Sequence, residues 1–215
     1  MSLLVSEIFY SIQGESSFAG WPCVLVRLSG CNLKCTYCDT AHASEPGKSM
    51  HIEGIVDQIK AYGCSLIEIT GGEPLIQQET PALVRRLTDL DYTVLVETNG
   101  SLDISGIDSR AVKIVDIKCP SSGEVQANDM ENLTRLQPHD EIKCVLGDTE
   151  DYLFAKEIEK RLHVDLGLGN TVHFSPVHGA LDPRQLAHWI LADHLNVRLN
   201  LQIHKVVWDP NERGR

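Results

Sequence analysis

The sequence predicts an α/β fold built on a mainly parallel sheet. Strand-like apolar runs alternate along the chain with helical patterns, which is the order of parallel strands joined by helices. Several runs are continuous rather than alternating, as expected of strands covered on both faces. A length of 215 residues suits one domain with a sizeable core. We therefore expect a single domain over residues 1–215.

The predicted strands are short runs rich in Val, Ile and Leu, beginning with CVLVRL. The stretch FYSIQGES, residues 9–16, is expected to precede the first of them. The seven predicted strands are 23–28, 66–70, 93–98, 112–118, 141–147, 171–176 and 197–208.

Four predicted helices share apolar positions three or four residues apart. They span 52–59, 83–87, 149–162 and a segment that includes residues 183–190. The last has the strongest start signal, because Asp182 suits an N-cap and Pro183 the first helical position. Residues 118–129 form the most loop-like interior stretch.

Charge and hydropathy exclude several classes of protein. The chain has 19 basic and 30 acidic residues, a net charge of -11, which disfavours a nucleic-acid surface. It contains no apolar run of about 18 residues, so no membrane span is predicted. The first residues lack the basic and apolar parts of a signal peptide, and we expect a cytoplasmic protein.

Three of the seven cysteines are clustered, with the spacing C-x3-C-x2-C at Cys31, Cys35 and Cys38. The odd number of cysteines and the lack of a secretion signal argue against disulfides, so the cluster indicates metal or redox chemistry. The scattered cysteines are expected to be small buried or near-core residues; they are Cys23, Cys64, Cys119 and Cys144.

The spacing alone leaves three kinds of site open. A zinc site could take His42 as a fourth ligand. Thioredoxin-type chemistry would need only Cys35 and Cys38. A [4Fe-4S] cluster held by three thiolates would leave one iron without a protein ligand, and that open position could bind a small molecule.

A second motif, ITGGEPL over residues 69–75, lies between a predicted strand and a helix. Its two glycines allow the backbone to approach a ligand closely, and Glu73 supplies an acceptor. The carboxyl ends of strands are where parallel α/β sheets bind ligands.

Together the cysteines, with Tyr37 before the last of them, and the GGEP motif resemble the radical S-adenosylmethionine superfamily. The resemblance implies a [4Fe-4S] cluster on the three cysteines, with S-adenosylmethionine chelating the fourth iron. It also implies a shortened and modified (β6/α3) partial barrel.

Three further stretches, FYSIQGES, CDT at 38–40 and QIHKVVW at 202–208, resemble the 7-carboxy-7-deazaguanine synthase family. The resemblance runs from about residue 7 to about 210. It implies hydrogen abstraction at C6 of 6-carboxy-5,6,7,8-tetrahydropterin, ring contraction and loss of ammonia, within 7-deazapurine (queuosine-type) biosynthesis. It also implies Mg²⁺, a homodimer and a reductase such as a flavodoxin or ferredoxin.

The same resemblance assigns site residues. A substrate loop at about 9–22 and a C-terminal segment at about 202–215 would close the site, and Thr40 would bind Mg²⁺. The S-adenosylmethionine contacts would be Tyr37, Cys38, Asp39, Gly72, Glu73, Asp116, Ile117, Lys118, Ser175, Pro176, Val177 and His178. The substrate contacts would be Ile12, Gln13, Gly14, Glu15, Arg27, Thr70, His204 and Pro210. His163, His173 and His188 match no motif.

Physical reasons support some of these assignments. An Arg27 guanidinium can bind a substrate carboxylate through two parallel hydrogen bonds, and the Gln13 amide can read a pterin edge. The stretch DIKCPSSG, residues 116–123, departs from the Ser-Pro-Lys found in many family members, which puts the role of Asp116 in doubt.

Two rival functions share part of this pattern. A radical enzyme that activates a glycyl-radical partner protein would need the cysteines and glycines but not Arg27 or His204. A non-enzymatic metal-binding protein would hold metal and ignore S-adenosylmethionine.

Overall fold

In the computed structural model, which describes residues 1–209 and 212–214, the chain forms one nine-stranded sheet. The spatial order is β3-β1-β2-β4-β5-β6-β7-β8-β9. The strands are β1 (Ser2–Ile12), β2 (Pro22–Leu28), β3 (Lys48–His51), β4 (Leu66–Gly71), β5 (Thr93–Thr98), β6 (Val112–Ile117), β7 (Glu141–Leu146), β8 (Thr171–Pro176) and β9 (Arg198–Leu199).

Helix α1 (Ile52–Tyr62) leads from β3 into β4. Helices α2 (Thr80–Thr88), α3 (Thr149–Lys160) and α4 (Pro183–Ala192) join neighbouring parallel strands, and the short α5 (His204–Val207) follows β9. The N-cap of α4 is as predicted, since the Asp182 side chain accepts from the Arg184 N–H. Within the described ranges, no helix is long and apolar enough to cross a membrane.

The prediction of an α/β fold with a mainly parallel sheet is confirmed. Strands β2 and β4 to β9 are parallel neighbours, while β1 and β3 extend one edge in antiparallel fashion. Six of the parallel strands, β2 and β4 to β8, and helices α1 to α3 make up the six strands and three helices of the expected partial barrel.

The two faces of the parallel strands differ. On the outer face, buried side chains such as Val26, Ile69 and Val96 pack with the helices in the main core. On the inner face, a small second cluster of Cys23, Leu66, Leu95 and Ile114 carries the apolar contacts. Beyond this cluster, toward the carboxyl ends of the strands, the inner face becomes polar.

Parts of the element prediction are wrong. Strands β1 and β3 were not expected, and residues 9–12 belong to β1 rather than preceding the first strand. The predicted strand at 197–208 pairs only at Arg198 and Leu199. The chain then leaves the sheet, because the Ile203 N–H donates to the Gly14 carbonyl, and residues 204–207 are helical. The stretch 118–129 contains two short 3-10 turns.

Three of the scattered cysteines, Cys23, Cys119 and Cys144, are fully buried, as predicted. Cys64 is half-buried at the edge of the second cluster, and its thiol donates to the Pro22 carbonyl at 3.3 Å. These four side chains therefore serve packing, in contrast to the clustered ones.

Candidate active site

A cavity of about 520 Å³ opens at the carboxyl ends of the parallel strands. Successive strands each place a polar side chain on its wall, from β2 to β7: Arg27, Thr70, Glu97, Asp116 and Lys143. Because these strands are neighbours in the sheet and all face one cavity, the sheet must curl around it. This position matches the general rule for ligand sites in parallel sheets.

The cysteine loop forms one side of this cavity, and its three thiols all line the wall. The loop is tied to the stretch 118–129 through Thr36, whose N–H donates to the Ser122 carbonyl at 3.0 Å and whose hydroxyl donates to Ser121 at 2.7 Å. On the other side, the Tyr37 hydroxyl donates to the Val145 carbonyl at 3.2 Å. The thiols are thus presented by a supported loop.

The three cysteines on this wall have free thiols, which are the ligands that hold iron–sulfur clusters. Within residues 1–209 and 212–214, no three His, Cys, Asp or Glu side chains converge on one metal position. His42, the candidate zinc ligand, instead lies 3.3 Å from Glu7. The Cys31 sulfur accepts from the Leu33 N–H at 3.5 Å and the Asn99 amide at 3.9 Å, the kind of contact that tunes cluster potentials.

The glycine motif packs tightly against this loop. A Cβ on Gly71, whose φ is +144°, would lie 2.1 Å from the Leu28 carbonyl oxygen. A Cβ on Gly72 would lie 2.1 Å from the Gly30 carbonyl oxygen and 2.8 Å from the Cys31 Cβ. A side chain at Gly71 would collide with the end of β2, and one at Gly72 would collide with the start of the cysteine loop, so close approach requires both glycines.

Glu73 lies behind the wall rather than on it. Its buried carboxylate accepts from the Leu75 N–H at 2.9 Å, the Thr98 hydroxyl at 2.8 Å and the Asn99 N–H at 2.6 Å. Burial raises its pKa, against the lowering effect of these bonds. Glu73 therefore joins the glycine turn to the end of β5.

The predicted substrate loop is folded on itself by backbone hydrogen bonds between Gln13 and both Gly20 and Trp21. The Gln13 amide oxygen accepts from the Glu15 N–H at 3.0 Å. The C-terminal segment closes over this loop, since Gln202 donates to Glu15 at 2.8 Å.

Two further contacts close the C-terminal segment onto the site. The Lys205 ammonium donates to Asp39 on the cysteine loop. The His204 ring lies so near the substrate loop that a Cβ on Gly14 would sit 2.0 Å from its Nδ1. Burial is the main cause that lowers the pKa of His204, which keeps the ring neutral near pH 7.

Lys143 lies among three carboxylates on the inner face. Its ammonium binds Glu97 and lies 3.1 Å from Glu15 and 3.7 Å from Asp116. Burial would lower the pKa of Lys143, but these carboxylates outweigh it and hold the pKa well above the usual range. Burial would likewise raise the pKa of Glu97, yet Lys143 lowers it to about 2.

Three buried polar atoms on residues of the wall have no hydrogen-bond partner within the described part of the chain: Gln13 Nε2, Glu68 Oε2 and Asp116 Oδ1. Buried polar atoms are nearly always paired in folded proteins. Three unpaired polar atoms around one cavity therefore indicate a polar ligand. The second oxygen of Asp116 accepts from Lys118 at 2.9 Å.

Arg27 and Thr40 lie on the same wall. The Arg27 Nε donates to Glu7 at 2.8 Å, and its guanidinium lies 5.8 Å from the Phe9 ring centroid. Within the described residues its terminal nitrogens have no acceptor, so they can bind a carboxylate. The Thr40 hydroxyl donates to Asp39 at 2.8 Å.

The structure brings together most residues that the sequence singled out. The wall includes Ile12, Gln13, Gly14, Glu15, Arg27, Cys31, Cys35, Tyr37, Cys38, Asp39, Thr40, Thr70, Gly72, Asp116, Lys118, Val177, His178 and His204.

Four others lie behind the wall: Glu73, Ile117, Ser175 and Pro176. Ser175, for example, is buried and accepts from the Asn200 amide at 3.0 Å. Pro210 lies outside the described residues.

Sequence reasoning missed Glu68, Glu97, Asn99, Lys143, Gln202 and Lys205, which also line the cavity. A signal was available for three of them. Glu68, Glu97 and Lys143 each interrupt an apolar strand run, and charged residues are rarely buried without a partner or a function.

Comparison with known proteins agrees with this geometry. Residues 25–117 match the model of the radical SAM superfamily. The 7-carboxy-7-deazaguanine synthase of Chlorobaculum tepidum is 48% identical over 99% of this chain and 97% of its own length. That of Koribacter versatilis is 42% identical over 98% and 99%.

A solved structure shares the fold. QueE from Escherichia coli superposes with a TM-score of 0.77 over 94% of both chains, at 23% identity. The similarity of the two sequenced relatives extends over nearly the whole chain and includes the cysteine and glycine segments. The chain belongs to the 7-carboxy-7-deazaguanine synthase family of the radical SAM superfamily.

Proposed function

We propose that the chain converts 6-carboxy-5,6,7,8-tetrahydropterin into 7-carboxy-7-deazaguanine with loss of ammonia, in 7-deazapurine biosynthesis. Family membership supports the reaction. The observation that carries it in this chain is a single cavity that combines three free thiols with unpaired polar atoms of Gln13, Glu68 and Asp116. A protein that only stored metal would not need the second feature.

The radical SAM family implies a [4Fe-4S] cluster and S-adenosylmethionine, and the thiols of Cys31, Cys35 and Cys38 suit the cluster. When bound, these cofactors supply the adenosyl radical that removes the hydrogen at C6. We assign Tyr37, Cys38, Asp39, Gly72, Asp116, Lys118, Val177 and His178 as S-adenosylmethionine contacts. Glu73, Ile117, Ser175 and Pro176 would act from behind the wall by shaping it.

The chain's own task is to orient the substrate and exclude water. Arg27 would bind the substrate carboxylate through its two terminal nitrogens. Gln13, Glu15 and His204 would meet the donor and acceptor edges of the pterin, beside Thr70 and the backbone of Ile12 and Gly14. Orientation of this kind contributes about 7–11 kcal/mol to lowering a barrier in favourable cases.

We further assign Mg²⁺ to the Thr40 hydroxyl, completed by substrate carboxylate and water, because Mg²⁺ keeps several waters and few protein ligands. Pro210 remains a proposed substrate contact from the family pattern. Homodimer formation, a flavodoxin or ferredoxin as electron donor, and a cytoplasmic location are likewise proposed on the family pattern.

The decisive experiment is an anaerobic assay with reconstituted cluster, dithionite, S-adenosylmethionine, Mg²⁺ and the tetrahydropterin. Formation of 7-carboxy-7-deazaguanine with stoichiometric ammonia, measured by mass spectrometry, is the expected result. Accumulation of 5′-deoxyadenosine alone would show that the assigned substrate is wrong. A different pair of results would favour an activating enzyme: the wild type does not convert the pterin, and Arg27→Ala cleaves S-adenosylmethionine as fast as the wild type.

A further inference from the structure

Glu68 is an acid on the cavity wall with no role in the proposed binding of substrate or cofactor. It stands on the inner face of β4, is 4% exposed and lines the cavity. Its Oε2 has no hydrogen-bond donor within the described part of the chain. A buried carboxylate without a donor is costly, so the group requires an explanation.

The neighbour of Glu68 is a second carboxyl group, Glu97 on β5. Glu68 pairs with Leu95 in the β4–β5 register, so Glu97 lies diagonally beside it on the same face of the sheet. Two carboxyl oxygens can share a hydrogen bond only when one of them carries a proton. Glu97 is the ionised partner, because it also binds the Lys143 ammonium and accepts from the Thr70 hydroxyl at 3.2 Å. The proton therefore belongs to Glu68, and with it Glu68 donates rather than facing Glu97 as a second acceptor.

The other groups around Glu68 agree. The Lys143 ammonium from β7 favours the ionised form of Glu68, while the carboxylates of Glu97 and of Glu15 from the substrate loop oppose its ionisation. Lys143 is already shared among several carboxylates, so Glu68 has no cation of its own. Burial first, and then Glu97, raise the pKa of Glu68 well above its ordinary value of 4.5.

The proposed reaction needs such a pair, because product equals substrate minus ammonia. Loss of ammonia transfers one proton to the departing nitrogen and removes one from a ring carbon. A carboxylic acid beside a carboxylate can perform both transfers and end unchanged. We propose that Glu68 is the acid that protonates the departing nitrogen, with Glu97 as the carboxylate that shares its proton.

The step balances, and it rests on the proposed function. The carbon–nitrogen bond breaks with its electron pair on nitrogen, and the proton of Glu68 goes to that nitrogen. The electrons of a ring C–H bond form a carbon–carbon double bond, and the proton released from that carbon goes to the two carboxyl groups of Glu68 and Glu97. No oxidant, reductant or further reactant is needed.

The test compares the wild type with Glu68→Gln, which keeps size and a donor but cannot release a proton. The substrate carries deuterium at C6, and two readouts are followed. Deuterium in 5′-deoxyadenosine or S-adenosylmethionine reports hydrogen abstraction, and ammonia reports elimination. We expect deuterium transfer to stay within about twofold while ammonia release falls about 100-fold or more, with a compound of substrate mass accumulating.

Glu159→Gln is the matched control, because Glu159 pairs with His163 away from the cavity and its loss should leave both readouts unchanged. Unchanged ammonia release in Glu68→Gln, or equal loss of both readouts, would overturn the proposal. Absence of deuterium transfer and product in the wild type would overturn the proposed function instead.

A second measurement needs no turnover, and its first comparison needs only the wild type. The infrared spectrum of the wild-type holoenzyme at neutral pH should contain the carbonyl stretch of a buried protonated carboxylic acid. This band should disappear in Glu68→Gln and persist in Glu159→Gln. A wild-type spectrum without the band would overturn the proposal.

Discussion

The outer and inner faces of the same parallel strands obey different rules. Along β4 the outward Ile69 is completely buried in the main core, whereas the preceding Glu68 and the following Thr70 face the cavity. Along β5 the outward Val96 is buried beside the inward Glu97. Adjacent residues of one strand point to opposite faces, so one packs in the core while the next lines the cavity.

This difference shows where the molecule accepts an energetic cost. The outer face stabilises the fold by removing apolar surface from water. The inner face holds carboxylates and ammonium groups in a closed space, where each depends on its partners. Loss of an outer side chain should therefore lower stability alone, while loss of an inner one should affect stability and ligand binding together.

The largest expected effect comes from Lys143→Met. It leaves Glu97, Glu15 and Asp116 without their shared cation, so the free energy of unfolding should fall by about 3–5 kcal/mol. Urea denaturation measures this change. Lys60→Met, in an exposed pair with Asp57, is the control and should change stability by less than about 0.5 kcal/mol. A Lys143→Met protein as stable as the wild type would contradict the conclusion that the three carboxylates depend on this ammonium.

Arg27→Lys tests ligand reading on the inner face. Lysine keeps the charge but cannot bind a carboxylate with two parallel bonds. Loss of about 1.5–3 kcal/mol of charged hydrogen bonding should raise KM for the pterin roughly 10- to 100-fold. The weakened pair with Glu7 should lower the free energy of unfolding at the same time. Arg86→Lys, whose partner is the exposed Glu53, should leave KM unchanged. An unchanged KM in Arg27→Lys would remove Arg27 from the substrate site.

Ile69→Val is the outer-face counterpart. Removing one methylene from a fully buried position should lower the free energy of unfolding by about 0.5–1.5 kcal/mol. KM and kcat should remain within about twofold of the wild type, because the side chain does not line the cavity. A large rise in KM would mean that the two faces are coupled more closely than their packing indicates.

The smallest effect is the pH dependence of stability, and its sign differs between the two paired acids. Because the pKa of Glu68 is raised in the folded state, its carboxyl group ionises at lower pH in the unfolded chain. The stability that the protonated group contributes is therefore lost as pH rises from 4.5 through the folded-state pKa. The pKa of Glu97, lowered to about 2, gives a contribution present above 4.5 and lost as pH falls toward 2.

Glu68→Gln should accordingly remove the decline above pH 4.5, and Glu97→Gln should weaken the acid-side decline. Denaturation at a series of pH values measures both. Identical curves for the wild type and Glu68→Gln would argue against a protonated Glu68.

Much of the fold followed from local pattern. Continuous apolar runs identified the parallel strands, and Asp182 with Pro183 located the start of α4. The pattern missed β1 because polar residues such as Ser6 and Glu7 interrupt its apolar residues. It extended the last strand beyond Leu199, because apolar residues at 201–207 suit a strand equally well when no partner is specified.

The site divides in the same way. The cysteine spacing, the glycine turn and the family motifs could be predicted from the sequence, since these depend on residues close together in the chain. Three other relations depend on the folded chain: Glu73 supports the wall from behind, Lys143 joins Glu15 to Glu97, and Glu68 lies beside another acid. Those relations arise between separate strands and loops, and charge and burial there are set by partners distant along the chain.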